Sequence, residues 1–494
     1  MLRKIRIALA AISFIAITLC FLDFTGTLRC YMGWLAKTQF IPAVLALNVV
    51  VVALLVVATL LFGRVYCSVI CPMGIMQDVV SWLHNRRKKA RVRFGYKREL
   101  PVLRFGFLAV FVVLMLVGLT SIAGLIEPYS AFGRIMTNIF APVYAFLNNC
   151  LADAAERYDS YAFYSVDVWL KSGISLGVAF ATLAVIGYMA WRGGRTYCNT
   201  VCPVGTVLGF FSRFSLFRPV IDTEKCVGCS LCDRKCKASC IDYKNHHIDY
   251  SRCVACMDCI DNCSQGAISY RKRSKVVKAE NEVTTDSSRR KFFTIVSAFA
   301  LTSVVKAQHS RVDGGLAAIA EKKVPARKGK LTPPGSLSIR NLAQHCTACQ
   351  LCIAACPNGV LRPSSKLDSL MQPEMGYERG YCRPECNACS QACPNGAIRP
   401  ITLDEKTSIQ IGHAVWIKEN CIINTDGVRC GNCARHCPNG AIKMMPQDEN
   451  NPQSPYFPVI DAERCIGCGA CEYVCPARPF SAIYVEGNSV HRSV

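Results

Sequence analysis

Residues 226–236 read CVGCSLCDRKC, and residues 253–263 repeat the same spacing as CVACMDCIDNC. Each stretch places four cysteines as C-x2-C-x2-C-x3-C, the spacing with which thiolates bind [4Fe–4S] clusters. In such pairs, the first three cysteines of one motif share a cluster with the fourth cysteine of the neighbouring motif. The sequence therefore predicts one cluster on Cys226, Cys229, Cys232 and Cys263, and a second on Cys253, Cys256, Cys259 and Cys236.

The quartet recurs four times in the C-terminal part of the chain. Two copies keep the spacing, one has an extra residue in its first gap, and one has eight residues there. These quartets are Cys346, Cys349, Cys352 and Cys356; Cys382, Cys386, Cys389 and Cys393; Cys421, Cys430, Cys433 and Cys437; and Cys465, Cys468, Cys471 and Cys475. Six motifs predict six [4Fe–4S] clusters with these cysteines as the iron ligands. For the last four motifs, pairing of neighbours and an outer-with-outer arrangement are both open.

Zinc is the alternative ligand for grouped cysteines. Zinc ribbons use two cysteine pairs separated by a longer loop, so the dense quartets disfavour zinc, least strongly at the widened Cys421 group. Cys240 takes a position at which other repeats have Ala or Val, so we expect a packed thiol there and no ligand.

The composition indicates a membrane protein. Of 494 residues, 51% are hydrophobic and 18% charged, which is too apolar for a disordered chain. The 32 cysteines are bunched in motifs, unlike a disulfide framework, and the net charge is +23. Residues 1–307 carry 37 Lys and Arg against 18 Asp and Glu, whereas residues 308–494 carry 20 against 16. Because the basic excess lies beside apolar stretches, it indicates membrane topology and excludes nucleic acid as a partner.

Four apolar stretches occupy residues 7–22, 40–62, 105–126 and 173–191. A spanning helix needs about 17–25 such residues, so they predict a four-helix membrane domain over residues 1–218, with buried soluble helices as the alternative. Residues 84–98 contain eight Lys or Arg and no acid, whereas residues 127–171 are acidic. By the positive-inside rule, residues 84–98 and the two-cluster domain at 219–275 are cytoplasmic, and residues 127–171 lie outside.

A second repeat follows the second and fourth apolar stretches. Residues 63–74 read GRVYCSVICPMG and residues 194–205 read GRTYCNTVCPVG, so we predict two copies of a helix pair. Cysteines four residues apart share a helix face, and pseudo-symmetry would bring four thiols together. A metal or cluster site, a redox-active dithiol, a quinone pocket and helix packing alone are all open. The candidates for a catalytic role are Cys67, Cys71, Cys198 and Cys202.

An apolar stretch of 14 residues, 292–305, follows Arg289 and Arg290. Its length is typical of a signal-peptide core and the arginine pair of a twin-arginine signal, with a basic cytoplasmic flank as the alternative. Residues 276–307 are therefore predicted to form a short signal or anchor helix, and residues 308–340 a linker. Residues 341–494 then form a four-cluster domain outside the cytoplasm.

These features, in this order, resemble a known pair of proteins. Residues 1–275, with four spans, two GRxYCxxxCP motifs and two quartets, resemble NapH/MauN-type membrane ferredoxins. Residues 286–494, with a twin-arginine segment, a Pro-Pro-Gly linker and four quartets, resemble NapG/MauM-type ferredoxins, so the chain looks like a fusion of the two. The resemblance implies a membrane α-helical bundle with α+β bacterial-ferredoxin-like domains on both sides of the cytoplasmic (inner) membrane.

For function, the resemblance implies a quinol dehydrogenase module. It would take electrons from menaquinol or ubiquinol in the quinone pool and pass them to a periplasmic reductase or cytochrome partner. The alternative is an electron donor for metal reduction or for metalloprotein and cytochrome maturation. No histidine lies in a predicted span, and no C-x-x-C-H or Gly-rich dinucleotide motif occurs, so the sequence predicts no haem, flavin or nicotinamide.

Overall fold

The computed structural model describes residues 2–86, 94–273, 322–323, 326–448, 450–451 and 454–493. The predicted signal or anchor helix at residues 276–307 lies outside the described residues, as do residues 308–321 of the predicted linker.

The N-terminal part of the chain is helical up to residue 212. Its helices are α1 (Leu2–Leu22), α2 (Thr27–Met32), α3 (Trp34–Lys37), α4 (Phe40–Leu45), α5 (Val49–Phe62), α6 (Val65–Val69), α7 (Pro72–Arg86), α8 (Pro101–Val117), α9 (Thr120–Ile126), α10 (Pro128–Ile135), α11 (Ala141–Glu156), α12 (Gly173–Gly193), α13 (Thr196–Thr200) and α14 (Pro203–Ser212). A π-helical turn, Met136–Phe140, joins α10 to α11, so Pro128–Glu156 is one continuous helix.

Three of the described helices are long and apolar enough to cross a membrane: α1, Pro128–Glu156 and α12. They indicate a membrane protein. The predicted arrangement of four spans is not confirmed. The second predicted span is divided between α4 and α5 and the third between α8 and α9, while the predicted outer connection at 127–171 contains Pro128–Glu156.

Two local backbone features divide the predicted spans. Leu47 has φ of 53°, and the side chain of Asn48 accepts a hydrogen bond from the Val51 amide at 3.3 Å, so α5 has a capped start inside the apolar stretch. Gly118, with φ of 86°, ends α8 in the left-handed conformation that glycine adopts at low cost. Hydrophobicity alone does not predict either break.

The two GRxYCxxxCP motifs fold alike, as the internal repeat predicts. In each copy an apolar helix ends at a glycine of positive φ, 73° at Gly63 and 64° at Gly194. A five-residue helix follows, α6 or α13, and a longer helix then begins at the motif proline, Pro72 or Pro203. The copies are offset by 131 residues throughout.

Residues 217–272 form an α+β unit that we name the first cysteine-rich domain. Its elements are β1 (Phe217–Ile221), α15 (Leu231–Lys235), β2 (Ile241–Asp242), β3 (His247–Ile248), α16 (Asp258–Asp261) and β4 (Ile268–Lys272). β1 pairs antiparallel with β4, with Phe217 opposite Lys272 and Ile221 opposite Ile268, and β2 pairs antiparallel with β3.

Residues 326–493 form the second cysteine-rich domain. Its elements are α17 (Ile339–His345), α18 (Leu351–Ala354), β5 (Leu361–Pro363), a 3-10 turn (Leu367–Ser369), β6 (Pro373–Met375), α19 (Ala388–Ala392), α20 (Leu403–Ser408), β7 (Ile409–Trp416), a 3-10 turn (Lys418–Asn420), α21 (Ile422–Thr425), α22 (Asn432–Arg435), β8 (Ile442–Pro446), β9 (Tyr456–Ile460), α23 (Ala470–Val474) and β10 (Ile483–Ser493). The antiparallel pairs are β5 with β6, β7 with β10, and β8 with β9.

One hydrophobic core runs through the helical part into both cysteine-rich domains. It joins Phe132 of α10 to Ile268 of the first domain and Leu351 of the second. The domains contact opposite ends of α12. The Arg195 amide, just beyond the C-terminal end, donates to Lys237 O at 2.9 Å, and Gln350 Nε2 donates to Ser175 Oγ near the N-terminal end at 2.6 Å.

Candidate iron–sulfur sites

Two cavities in the first cysteine-rich domain are each lined by four cysteines in the crossed pattern that the spacing predicts. The first is lined by Cys226, Cys229, Cys232 and Cys263, and the second by Cys236, Cys253, Cys256 and Cys259.

The backbone turns sharply at the second cysteine of these quartets. The residues before and after it have positive φ, at Gly228 and Ser230 in the first quartet and at Ala255 and Met257 in the second. Ala348 with Gln350, and Gly467 with Gly469, repeat this feature in the second domain. The left-handed conformation costs non-glycine residues about 1–2 kcal/mol each. Its repetition therefore shows that the surrounding structure holds the thiols toward one point.

Cys240 lies beside the predicted ligands in the second cavity. It is 1% exposed, and its Sγ lies 3.5 Å from the Sγ of Cys236. A hydrogen bond with Cys240 is the largest influence on the pKa of Cys253, which it helps to lower to about 7. Cys240 therefore lies next to the predicted cluster site as a thiol in hydrogen-bond contact with ligand sulfurs, a role the sequence did not predict.

Two cavities in the second cysteine-rich domain show which of its last two quartets pair. One is lined by Cys421, Cys430, Cys433 and Cys475, and the other by Cys437, Cys465, Cys468 and Cys471. The fourth cysteines are exchanged between neighbouring motifs, which answers the open question of pairing for these two.

The first two quartets of this domain are exchanged in the same way. Burial raises the pKa of Cys352, and the nearby thiols of Cys346, Cys349, Cys393 and Cys389 raise it further. Burial likewise raises the pKa of Cys389, with added effects of Cys382, Cys356 and Cys386. These influences favour two groups, one of Cys346, Cys349, Cys352 and Cys393, and one of Cys382, Cys386, Cys389 and Cys356.

A backbone contact connects the two pairs in the second domain. The Cys382 amide donates to Cys468 O at 2.9 Å, so the second and fourth quartets are neighbours. In space, the group of Cys346 is therefore next to that of Cys382, which is next to that of Cys465, and the group of Cys421 comes last.

These donor sets fit [4Fe–4S] clusters. Each consists of three thiols from one loop and a fourth from its neighbour, and thiolate is the ligand of such clusters. Among the described residues, no group of three His, Cys, Asp or Glu side chains is placed to hold a single metal ion.

The membrane-motif cysteines, Cys67, Cys71, Cys198 and Cys202, come together between the two cysteine-rich domains. Each is 4% exposed. The thiol of Cys198 lies near those of Cys67 and Cys71, and Cys202 lies near the other three. Gln77 Nε2 donates to Cys198 Sγ at 3.2 Å, and the Gly205 amide donates to Cys202 Sγ at 3.3 Å.

The thiols meet without the continuous helix that the sequence analysis assumed for each pair. Cys67 lies in α6, whereas Cys71 precedes α7, and the second copy repeats this around α13 and α14. Pro72 has no N–H and disfavours helical conformation in the residue before it, so the helix breaks at Cys71.

Two fully buried arginines cross between the repeats. Arg64 Nη1 donates to Gly205 O at 2.8 Å, and Arg195 Nη1 donates to Cys67 O at 2.6 Å. Arg195 also pairs with Asp78 through bonds of 2.9 and 2.8 Å. Sequence reasoning missed these roles, although both arginines stand at the same place in the repeated GRxYC motif.

Arg64 also contacts the first cysteine-rich domain. Its guanidinium donates to Asn199 Oδ1 at 2.6 Å, to Cys253 O at 3.3 Å and to Arg252 O. All its acceptors are neutral, and it has no carboxylate partner among the described residues. The membrane motif is therefore joined directly to a predicted cluster ligand, Cys253.

The second cysteine-rich domain contacts α9 and α10 through the loop of its first quartet. Thr120 Oγ1 donates to Cys346 O at 2.9 Å, and Ser130 Oγ lies 2.7 Å from Thr347 Oγ1. Gly124 and Gly133 face the carbonyls of Thr347 and Cys349, where an added Cβ would overlap them. Glycine at both positions allows this close approach.

Two protein-family models match the chain. Residues 44–91 and 174–221 match a 4Fe-4S binding domain, so both copies of the membrane repeat are found. Residues 428–478 match a 4Fe-4S dicluster domain, which spans the last two quartets except Cys421.

The chain is similar to curated ferredoxin-type proteins. The uncharacterized protein MJ0749 of Methanocaldococcus jannaschii is 41% identical over 68 residues, 13% of this chain and 28% of that protein. The ferredoxin-type protein NapG of Escherichia coli is 29% identical over 178 residues, 33% of this chain and 77% of that protein. The methylamine utilization ferredoxin-type protein MauN of Paracoccus denitrificans is 26% identical over 175 residues, 35% of this chain and 48% of that protein. No solved structure matches.

These similarities support an iron–sulfur electron carrier. Ferredoxin-type relatives and two families of 4Fe-4S domain agree with the thiol-lined cavities. The chain spans less than a third of MJ0749 and about half of MauN, so these similarities concern parts of the chain and not the whole.

Proposed function

We propose that the protein is a quinol dehydrogenase module of the cytoplasmic membrane, in which a NapH/MauN-like part and a NapG/MauM-like part are fused. It takes electrons from menaquinol or ubiquinol and delivers them to a periplasmic reductase or cytochrome. The observation that carries the proposal is the placement of cysteine quartets at both ends of an apolar helix, α12, where Lys237 of the first domain and Gln350 of the second bond to it.

The predicted ligands are the 24 cysteines of the six quartets, which hold six [4Fe–4S] clusters in our proposal. Such clusters, when bound, supply one-electron transfer. Oxidation of one quinol releases two electrons and two protons, so the electrons enter the protein singly and the protons pass to water. Nine of the 24 ligands are buried, so the chain limits the access of water to part of the ligand set.

The order of the sites suggests the point of delivery. The group of Cys346 contacts the membrane helices, whereas the group of Cys421, Cys430, Cys433 and Cys475 is the last of the four. Val428, beside that last group, is 51% exposed. We propose that the redox partner binds there.

The test is anaerobic reduction of the full chain in lipid nanodiscs by menaquinol and ubiquinol analogues, followed by EPR spectroscopy. We expect one of the two quinols to produce reduced-cluster signals. A Cys433→Ala variant, which lacks a ligand of the last cluster, is the control: it retains reduction by quinol and loses electron delivery to an added acceptor.

Two outcomes would contradict the proposal. One is that neither quinol reduces any cluster. The other is reduction only by a cytoplasmic low-potential donor, which would favour a role in metal reduction or metalloprotein maturation.

A further inference from the structure

We propose that Cys67, Cys71, Cys198 and Cys202 bind a seventh [4Fe–4S] cluster, which connects the cluster sites of the two cysteine-rich domains. The inference goes beyond quinol oxidation and holds whichever donor reduces the protein.

The two repeats each supply half of a ligand set. The matched ranges 44–91 and 174–221 contain no cysteines except these four, although the family is a 4Fe-4S binding domain. Neither copy alone has enough thiols for a cluster, whereas together they supply the usual four.

The local backbone favours thiolates at this place. Cys71 and Cys202 directly precede the first residues of α7 and α14, where the unpaired amides and the positive end of the helix dipole lie. The Gly205 amide already donates to Cys202 Sγ at 3.3 Å. Gln77 Nε2 donates to Cys198 Sγ at 3.2 Å, as protein amides do to cluster ligands.

The charge of the surrounding core also favours an anionic group at this site. Arg64 and Arg195 are 0% exposed, and Arg195 Nη1 lies 4.0 Å from Cys198 Sγ. Asp78 pairs with Arg195, but Arg64 has only neutral acceptors among the residues that the structure describes. A buried cation without an anionic partner is strongly unfavourable. An oxidised cluster with four thiolates carries about −2 and compensates it.

Contacts connect the site to both cysteine-rich domains. On one side Arg64 bonds to Cys253 O at 3.3 Å, within a predicted ligand set. On the other, Tyr197 Oη donates to Ile126 O at 2.5 Å, next to the α9–α10 surface that faces Cys349. Cys253, the membrane-motif thiols and Cys349 belong to one continuous core.

Electron transfer through this site balances without chemistry on the protein. One electron arrives from the cluster of one cysteine-rich domain, which is oxidised, and leaves to the cluster of the other, which is reduced. No bond forms or breaks, and no proton is required.

The test is the iron and sulfide content of the full chain, purified anaerobically from cells that express iron–sulfur assembly proteins. Seven clusters give about 28 iron atoms per chain and six give about 24. We expect about 28 for the wild type and about 24 for Cys67→Ser/Cys198→Ser, with loss of one EPR-detected redox transition. Cys20→Ser is the matched control, because Cys20 is also buried in the helical part and lies outside every motif. It keeps about 28.

Two results would overturn the proposal: about 24 iron atoms in the wild type, or identical iron content and spectra in the wild type and the double variant. If the double variant does not fold, Gln77→Leu decides. Loss of its hydrogen bond to Cys198 shifts one midpoint potential to a more negative value, and an unchanged set of potentials contradicts the cluster.

Discussion

The cysteine loops depend on backbone conformation as well as on cysteine spacing. Ala348 and Gly467 each precede the second cysteine of their quartet, and both have positive φ. Gln350 and Gly469 each follow that second cysteine, and they also have positive φ. A glycine in these loops is therefore required only where a neighbouring side chain leaves no room for Cβ.

Gly469 is such a place. A Cβ there would overlap the ring of Tyr377, which is fully buried and donates from Oη to Gly467 O at 2.7 Å. We expect Gly469→Ala to destabilise the second cysteine-rich domain by about 1–3 kcal/mol and to lower the occupancy of the cluster on Cys465, Cys468 and Cys471. Iron content and the apparent unfolding temperature measure both effects.

Gly228→Ala is the matched control for that substitution. Gly228 also has positive φ, 67°, but nothing lies within 4 Å of its added Cβ. Because Ala255 occupies the equivalent place in the next quartet, we expect near wild-type iron content. Equal losses in both variants would show that backbone strain, and not Tyr377, is decisive.

His491 gives a pH dependence to the stability of the second domain. Burial lowers its pKa to about 4, Nε2 lies 2.8 Å from Thr332 Oγ1, and Nδ1 has no hydrogen-bond partner in the described ranges. The unfolded chain has the ordinary pKa of about 6.5, so between about pH 6.5 and 4 it binds more protons than the folded chain. Stability is therefore full above about pH 6.5 and falls as the pH decreases, by about 2 kcal/mol at pH 5.

The measurement is the apparent unfolding temperature of the holoprotein at pH 7 and pH 5. We expect a smaller pH-dependent decrease in His491→Gln than in the wild type. Parallel decreases in both proteins would assign the effect to other groups.

The cysteine spacing predicts the thiol groups but not the residues around them. Four thiolates at fixed spacing have few chemical uses, so the crossed pairing of Cys236 and Cys263 follows from the motif. Arg64 gives no such indication, because an arginine beside an apolar stretch is usually a basic flank. Its burial depends on contacts with Gly205 and Cys253, which are far away in sequence.

At the scale of elements, the apolar stretches predicted helices but not their ends. Hydrophobicity measures whether a stretch is buried or in lipid, whereas the breaks at Asn48 and Gly118 depend on one side-chain cap and one left-handed glycine. Pro128–Glu156 was missed for a related reason. Its C-terminal half carries acids, which indicated a loop by the charge rule.

The helices α9 and α10 act as a platform for the second cysteine-rich domain. Gly124 and Gly133 allow the carbonyls of Thr347 and Cys349 to approach. We expect Gly124→Ala to weaken this contact by about 1–3 kcal/mol, because the methyl group would overlap Thr347 O. Hydrogen exchange of the backbone at residues 346–350 should then be faster by about 5–150-fold.

Gly177→Ala on α12 is the control, because nothing lies within 4 Å of its added Cβ. It should leave exchange at residues 346–350 unchanged. Equal exchange in Gly124→Ala and the wild type would mean that the platform does not hold this loop.

At the scale of the whole molecule, a single core connects the two cysteine-rich domains through the helices. The first domain has elements that bury few apolar side chains of their own, such as β2 and β3 with two residues each, whereas the second has two hydrophobic clusters of its own. Cluster ligation and contact with the helices must therefore supply much of the stability of the first domain. We expect that removal of iron by a chelator under denaturing stress unfolds the first domain before the helices.

The distribution of charge predicts on which side of the membrane each domain lies. Residues 1–307 carry 37 Lys and Arg against 18 acids, and the first domain contacts the end of α12 that adjoins Arg192 and Arg195. We expect a cysteine in place of Lys244, which is exposed in the first domain, to react with a membrane-impermeant maleimide only in permeabilised spheroplasts. A cysteine in place of Leu367, 83% exposed in the second domain, should react in intact ones. Both variants are made with Cys30→Ser and Cys150→Ser, because those native thiols are exposed, and the doubly substituted parent measures the background. Labelling of both positions from the same side would contradict a chain that places its cysteine-rich domains on opposite faces, and with it the proposed transfer of electrons across the membrane.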